Sequence, residues 1–342
     1  MQTIGIHPTK KDRKITSTSR IEKSFDKQID KMTQKKILLS QYNVPIKSDV
    51  LIIIPFYNPA NSIRMVQNLL MVLNKLKNAR IPYHLIECIF PNSVQVINDT
   101  ENHTVVHSDS YAFVKENLTD ICISKFKDQY KKFLLLDADM IYTSPDWYDK
   151  VSKKLDAYEF IHGYETVRRI DANFYGYNPE QHTPFNLKNN KIACGFIFGF
   201  TLLWYNKGYF QPECLIGGGD SVTLYYIMKH NNTDNMYKKV MYRPTEIFKY
   251  MDEKLFIEPC TISYIEDEIA YHLYHSNEAN RQYTSRHMTM KKYLKSMKDR
   301  PMLCDIIKKN DDGVYEWLDE LKEEINEFMS MYFLNRNDDE IN

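Results

Sequence analysis

Four large apolar residues in a row, Phe133-Leu134-Leu135-Leu136, run straight into Asp137-Ala138-Asp139. A run this short with no polar face reads as a strand buried on both sides, as in a parallel sheet covered by helices. Val50-Leu51-Ile52-Ile53-Ile54-Pro55 is a second such run, β-branched and ended by proline. Sheets of this kind bind ligands beyond the carboxyl ends of their strands. Two carboxylates placed there, two residues apart on extended backbone, project to one side and can share a hard divalent cation with substrate phosphates. Aspartates after strands also cap turns, so D-x-D alone leaves both roles open.

The 342 residues suffice for one large α/β domain with extensions, or for two modest domains. Since 45 Lys and Arg balance 45 Asp and Glu, no global basic field draws the chain to nucleic acid or an anionic membrane. Six scattered cysteines, none in a C-x-x-C pair, argue against a zinc or redox motif and for a reduced compartment. Residues 1–20 are polar and basic without an apolar h-region, and no apolar run is long enough to cross a bilayer. The expectation is a soluble, cytoplasmic chain with no signal peptide or transmembrane helix. Its richness in Lys, Asn, Ile and Tyr suits an AT-rich genome, and a large-virus source would place it in the virion or host cytoplasm. Without a secretion signal the sequons at Asn98, Asn102, Asn117 and Asn231 carry little weight.

Residues 1–20 read as disordered, and a helix from Ile21 to Gln41 leads into the main domain. After the turn Tyr57-Asn58-Pro59, the spacing of Ile63, Val66, Leu70, Leu73 and Leu76 predicts a helix crossing over to a strand at Tyr83–Phe90. This β-α-β opening lacks a G-x-G-x-x-G loop, which argues against a dinucleotide dehydrogenase. Further helices are predicted from Tyr111 to about Tyr130 and, beyond Pro145-Asp146-Trp147, to Leu155. Residues 165–192 show neither helical nor strand period and read as a binding loop, lid or surface loop. From Asp311 onward, Val314, Trp317, Leu318, Leu321, Ile325 and Phe328 predict one helical face.

Several residues carry two readings. Gly217-Gly218-Gly219 permits positive φ and close backbone approach, and Asp220 behind it is either the N-cap of a helix or a cleft carboxylate. His272 and His275 are metal ligands or neighbours on a helix face. Lys115-Glu116-Asn117 is a solvated charged triplet or part of a site. Trp204 and Tyr205 form a stacking floor for a ligand ring or belong to the core.

Taken in order, four segments resemble nucleotide-sugar-dependent glycosyltransferases of the GT-A fold, in the family-2-like inverting group. They are Lys115-Glu116-Asn117, the Lys132 to Asp146 segment around D-x-D, Ile216-Gly217-Gly218-Gly219-Asp220, and His272-Leu273-Tyr274-His275 with Asn280-Arg281-Gln282-Tyr283 and Arg286. The resemblance implies an α/β fold with a Rossmann-like nucleotide-binding sheet flanked by helices and a smaller acceptor-side subregion. That domain would span residues 46–298, after an N-terminal extension over 1–45 and before a C-terminal helical extension over 299–342. It implies Mn²⁺ or Mg²⁺ bound directly by Asp139, with Asp137 contacting the ribose or the metal through water. His275 completes the metal site, with His272 behind it. It further implies a UDP-sugar donor held by Pro55, Tyr57, Asn58, Lys115, Asp137, Ala138, Gly218, Gly219, Arg281 and Arg286, Arg168 and Arg169 being alternatives for the phosphates. Asp220 is then the general base toward a glycan, protein or small-molecule acceptor, with Glu116 helping to position it. The sequence departs from the family in two places: the segment between D-x-D and the glycine run is long and aromatic, and Ser221 stands where a second acidic residue is usual. The second departure leaves a single carboxylate for the base's work. A catalytically silent sugar-binding or scaffold module, and a nucleotidyltransferase or phosphoesterase using the same metal, are the alternatives.

Overall fold

The computed structural model describes residues 34–98, 101–171, 176–186, 192–231, 258–275, 278–281, 283–297, 299–300 and 302–339. Strand β1 (Val50–Tyr57) is followed by helix α1 (Ile63–Asn78), β2 (Tyr83–Ile89) and β3 (His103–His107). Next come α2 (Lys115–Phe126), β4 (Lys132–Leu136), β5 (Met140–Tyr142), α3 (Trp147–Lys154), β6 (Phe160–His162), β7 (Thr166–Ile170) and β8 (Gly176–His182). Later strands and α-helices are β9 (Ile197–Thr201), α4 (Leu202–Asn206), α5 (Gly219–His230), β10 (Ile262–Tyr264), β11 (Ile269–His272), α6 (Tyr283–Ser296), the hairpin of β12 (Ile307–Lys309) and β13 (Tyr315–Trp317), and α7 (Asp319–Asn335).

The fold is mixed α/β: a seven-stranded sheet in the order β10-β6-β9-β4-β1-β2-β3, flanked by helices. Side chains alternate across each strand, so apolar runs without a polar face must feed two cores. Leu51, Ile53, Phe133 and Leu135 enter one, with residues of α2, α5, α6 and α7. Val50, Ile52, Ile54, Leu134 and Leu136 enter the other, with residues of α1 and α3. Strands β1 to β4 pair in parallel, as the β-α-β reading requires, whereas β9 runs antiparallel to both β4 and β6. Between β1 and β4 the strand order reverses, and ligands bind in the crevice that such a reversal leaves at the carboxyl ends.

Four expectations need correction. Pro55 does not end the first strand; it lies inside β1, past the last residue paired with β4, where its missing N–H removes no ladder bond on that side. Residues 165–192 are not a structureless loop throughout, because β7 and β8 join β5 and β11 in a second sheet, ordered β5-β11-β7-β8. The tail is not one helix from Asp311: Val314 packs in the core from the turn of the β12–β13 hairpin, Trp317 ends that hairpin, and α7 begins at Asp319. The helix after Tyr111 is shorter than expected, Lys115–Phe126. The expected disorder of residues 1–20 falls outside the described residues, as does most of the helix expected from Ile21. Among the described residues no cysteine is joined in a disulfide, and no helix is long and apolar enough to cross a membrane.

Candidate functional site

D-x-D sits at the topological switch point, in a turn rather than on extended backbone: Met140 N–H donates to the Asp137 carbonyl at 3.1 Å. The turn separates the two carboxylates. Strand β5 starts immediately after it and pairs antiparallel with β11, setting His272 opposite Met140, while Leu273 N–H donates to the Asp139 carbonyl at 2.8 Å. His272 and His275 are thereby delivered to Asp139 from far along the chain, one at the end of a strand and the other in the loop after it, not on a helix face. Nε2 of His275 lies 2.7 Å and Nε2 of His272 3.4 Å from Asp139 Oδ2. Asn68 on α1 donates to the Tyr274 carbonyl at 3.1 Å and steadies that loop.

Ligand atoms of Asp139, His272 and His275 all lie within 4.8 Å of one another. Asp139 Oδ1 is buried and, among the described residues, accepts no hydrogen bond, an orphan that a cation would satisfy. Burial pushes the His272 pKa down to about 3, so its imidazole is neutral, the form that ligates. Burial also pulls on Asp139, but the two imidazoles outweigh it and hold the carboxyl well below the usual range. One carboxylate and two imidazoles fit a divalent cation such as Mn²⁺.

Asp137 lies outside that cluster and pairs with Lys115, whose Nζ is 3.3 Å from Asp137 Oδ1. Lys115 and Glu116 open α2 at the cleft, and the triplet is no solvated face: Glu116 and Asn117 are buried. Burial works against the Lys115 ammonium, yet Asp137, Asp220 and Glu116 outweigh it and keep it protonated. Burial raises Asp137 to about 6 and Glu116 to about 7, in both cases against the pull of Lys115. Asn117 accepts from Tyr315 N–H at 2.8 Å and donates to the Gly313 carbonyl, pinning the β12–β13 hairpin. Such a buried side chain is no glycosylation acceptor in the folded chain.

The glycine run makes the opposite wall. Gly217 and Gly218 have φ of +74° and +88°, and Gly218 is the N-cap of α5, so the capping role foreseen for Asp220 falls to a glycine. Asp220 stands one residue into the helix and faces the cleft. A Cβ on Gly219 would stand 2.4 Å from Glu116 Cδ, and one on Gly195 2.3 Å from Asp220 Oδ2. The first contact packs Glu116 beside the start of α5, so Asp220 is not the lone carboxylate that Ser221 had implied.

Arg281, Arg286 and Arg336 complete the cleft with Lys115, Pro55, Tyr57 and Ala138. Arg281 Nη2 is 2.9 Å from His275 Nε2. The Arg286 guanidinium lies over the Phe113 ring at 4.2 Å and donates to the Tyr332 hydroxyl, which itself donates to the Arg281 carbonyl at 2.6 Å. Other candidates fall elsewhere. Asn58 closes the turn before α1 through Ser62, Arg168 pairs with Glu180, Arg169 is buried on β7 in the second sheet, and Trp204 is buried among Phe160, Phe200 and Tyr209. Tyr205 donates to Asp120 outside the cleft. Sequence reasoning missed Tyr332, Arg336 and Asp338, all from the tail. They carry no motif, and only the packing of α7 brings them here.

No family model matches the sequence, and no curated protein matches it. Among solved structures the chain is similar to the catalytic domain of Drosophila β1,4-galactosyltransferase 7 in complex with xylobiose, at 10% identity and TM-score 0.35, covering 82% of this chain and 98% of that one. It is also similar to a mannosyltransferase from Pyrobaculum calidifontis in complex with GDP-Man and Mn²⁺, at 10% identity and TM-score 0.36, covering 93% and 83%. Likeness of this size carries nothing about chemistry, which must come from the cleft residues themselves.

Proposed function

We propose that the chain is a metal-dependent, inverting glycosyltransferase that moves a sugar from a nucleoside-diphosphate donor, a UDP-sugar by the sequence resemblance, to an acceptor hydroxyl on a glycan, protein or small molecule. The observation that carries this reading is the Asp139, His272 and His275 cluster abutting Lys115, Arg281, Arg286 and Arg336 at the sheet's switch point. Asp139, His272 and His275 would hold Mn²⁺ or Mg²⁺, which supplies Lewis acidity toward a departing diphosphate. Arg281, Arg286 and Lys115 neutralise the two phosphates, the two arginines with the planar fork that suits phosphate oxygens. Tyr57, at the end of β1, is the floor for the nucleobase. Asp220 accepts the proton of the acceptor hydroxyl as its oxygen bonds to the anomeric carbon and the bond to the diphosphate breaks.

The test is a panel of nucleotide sugars with and without Mn²⁺. The parent protein should show an Mn²⁺-dependent rise in melting temperature with one donor, since a ligand that binds only the folded state stabilises it by mass action, and should release nucleoside diphosphate. Asp139→Ala should lose the Mn²⁺ dependence while remaining folded. Release of pyrophosphate instead would point to nucleotidyl transfer, and a protein that neither shifts nor turns over any donor is no transferase.

A further inference from the structure

The metal-side histidine that faces the arginines is held from behind by the end of the chain. His275 Nδ1 lies 3.3 Å from Oδ1 of Asp338, a buried carboxylate just past the end of α7. Arg336 Nη2 is 3.2 Å from the same oxygen and 3.4 Å from His275 Nδ1. An arginine can only donate, so Asp338 is the group here that accepts the Nδ1 proton. The segment is anchored one residue further on. Asp339 accepts from Ser62 Oγ at 2.8 Å, Arg64 N–H at 2.8 Å and Ile63 N–H at 3.2 Å, capping α1 from the far end of the sequence. The same helix α1 supplies Asn68 to the loop carrying His275, so both sides of the histidine are fixed to one element.

We propose that Asp338 is the positioning residue for His275: by accepting the Nδ1 proton it fixes the ring's tautomer and rotation and leaves the Nε2 lone pair for the metal. This rests on the metal reading of the Asp139 cluster. Carboxylates placed behind ligating imidazoles raise ligand basicity and hold the ring, and losing one costs about 10–100-fold in metal affinity. Arg336 has a different task, balancing the charge of Asp338 at the cleft wall.

The experiment is an Mn²⁺ titration of the metal-free full chain, with free aqua Mn²⁺ read by electron paramagnetic resonance, for the parent, Asp338→Ala, His275→Ala and the double variant. Asp338→Ala should weaken Mn²⁺ binding about 10–100-fold, and the same change in the His275→Ala background should add less than about twofold. If Asp338→Ala does not fold, Asp338→Leu, which keeps the size and loses the acceptor oxygen, runs the same cycle. Equal losses in both backgrounds would mean that Asp338 acts through general packing, and parent-like affinity would mean that it does not act at all; either overturns the proposal while leaving the metal site intact. A parent chain that binds no Mn²⁺ would overturn the metal reading itself, and this inference with it.

Discussion

Replacing Gly195 by alanine tests whether the place of the Asp220 carboxylate matters to turnover. The Gly195 φ lies outside the left-handed region, so alanine meets no backbone penalty, but its Cβ would stand 2.3 Å from Asp220 Oδ2 and 3.3 Å from Asp220 Cγ. Gly195 has little room to retreat, because its carbonyl accepts from the Tyr164 hydroxyl at 3.0 Å and from Ile197 N–H at 3.2 Å. The carboxylate therefore moves, by about 1 Å, toward the cleft it faces. A misplacement of that size in a reacting group costs on the order of 10²-fold. Since the colliding atom is the far end of a rotatable side chain, the fold and the Asp139 cluster should survive. The assay is nucleoside diphosphate release in the presence of acceptor, alongside a thermal melt and an Mn²⁺ titration. The expected result is a kcat lower by about 10²-fold, with melting temperature and Mn²⁺ affinity close to the parent. A kcat within about threefold of the parent would refute a positioned Asp220 as the base.

Asp220→Asn keeps size and shape and loses the proton acceptor. With Gly218 as the N-cap, it should leave α5 intact while acceptor-dependent transfer falls by roughly two to four orders of magnitude. Unchanged transfer would return the base to Glu116 or end the catalytic reading. Asp339→Ala removes the carboxylate that caps α1 at Ile63 and Arg64, and should destabilise the chain by about 0.5–2 kcal/mol in urea unfolding. No change in the midpoint would show that Ser62 caps α1 unaided.

Those segments were legible in the sequence whose burial is two-sided and local. β1 and β4 announce themselves because each alternate residue must find a core, and α1 because its apolar stripe meets one of those cores. The second sheet stayed hidden for the opposite reason: β5 spans three residues and β11 four, too short for a period, and their pairing joins Met140 to His272 across the chain. The hairpin before α7 was hidden in another way, since Val314 and Trp317 bury their side chains like helical core residues and so imitate a helical face.

The same division runs through the site. Asp137, Asp139, Gly217, Gly218, Asp220, His275, Arg281 and Arg286 stand out in the sequence because they cluster in short polar or glycine-rich segments, and they line one cleft together with Lys115. What the sequence could not tell was how the charges divide. D-x-D reads as a matched pair, but the turn sends Asp139 to the imidazoles and leaves Asp137 to Lys115, so the two carboxylates face different partners. Arg336 and Asp338 stayed hidden because a charged residue after an amphipathic helix reads as solvated tail. Their burial follows from α7 packing Met329, Tyr332 and Phe333 against the core and from Asp339 capping α1, two conditions set in distant parts of the chain. A tail fixed this way cannot be exchanged without disturbing the cleft: any change that frees the segment after Asn335 also removes Arg336 from the cleft wall and the acceptor from behind His275.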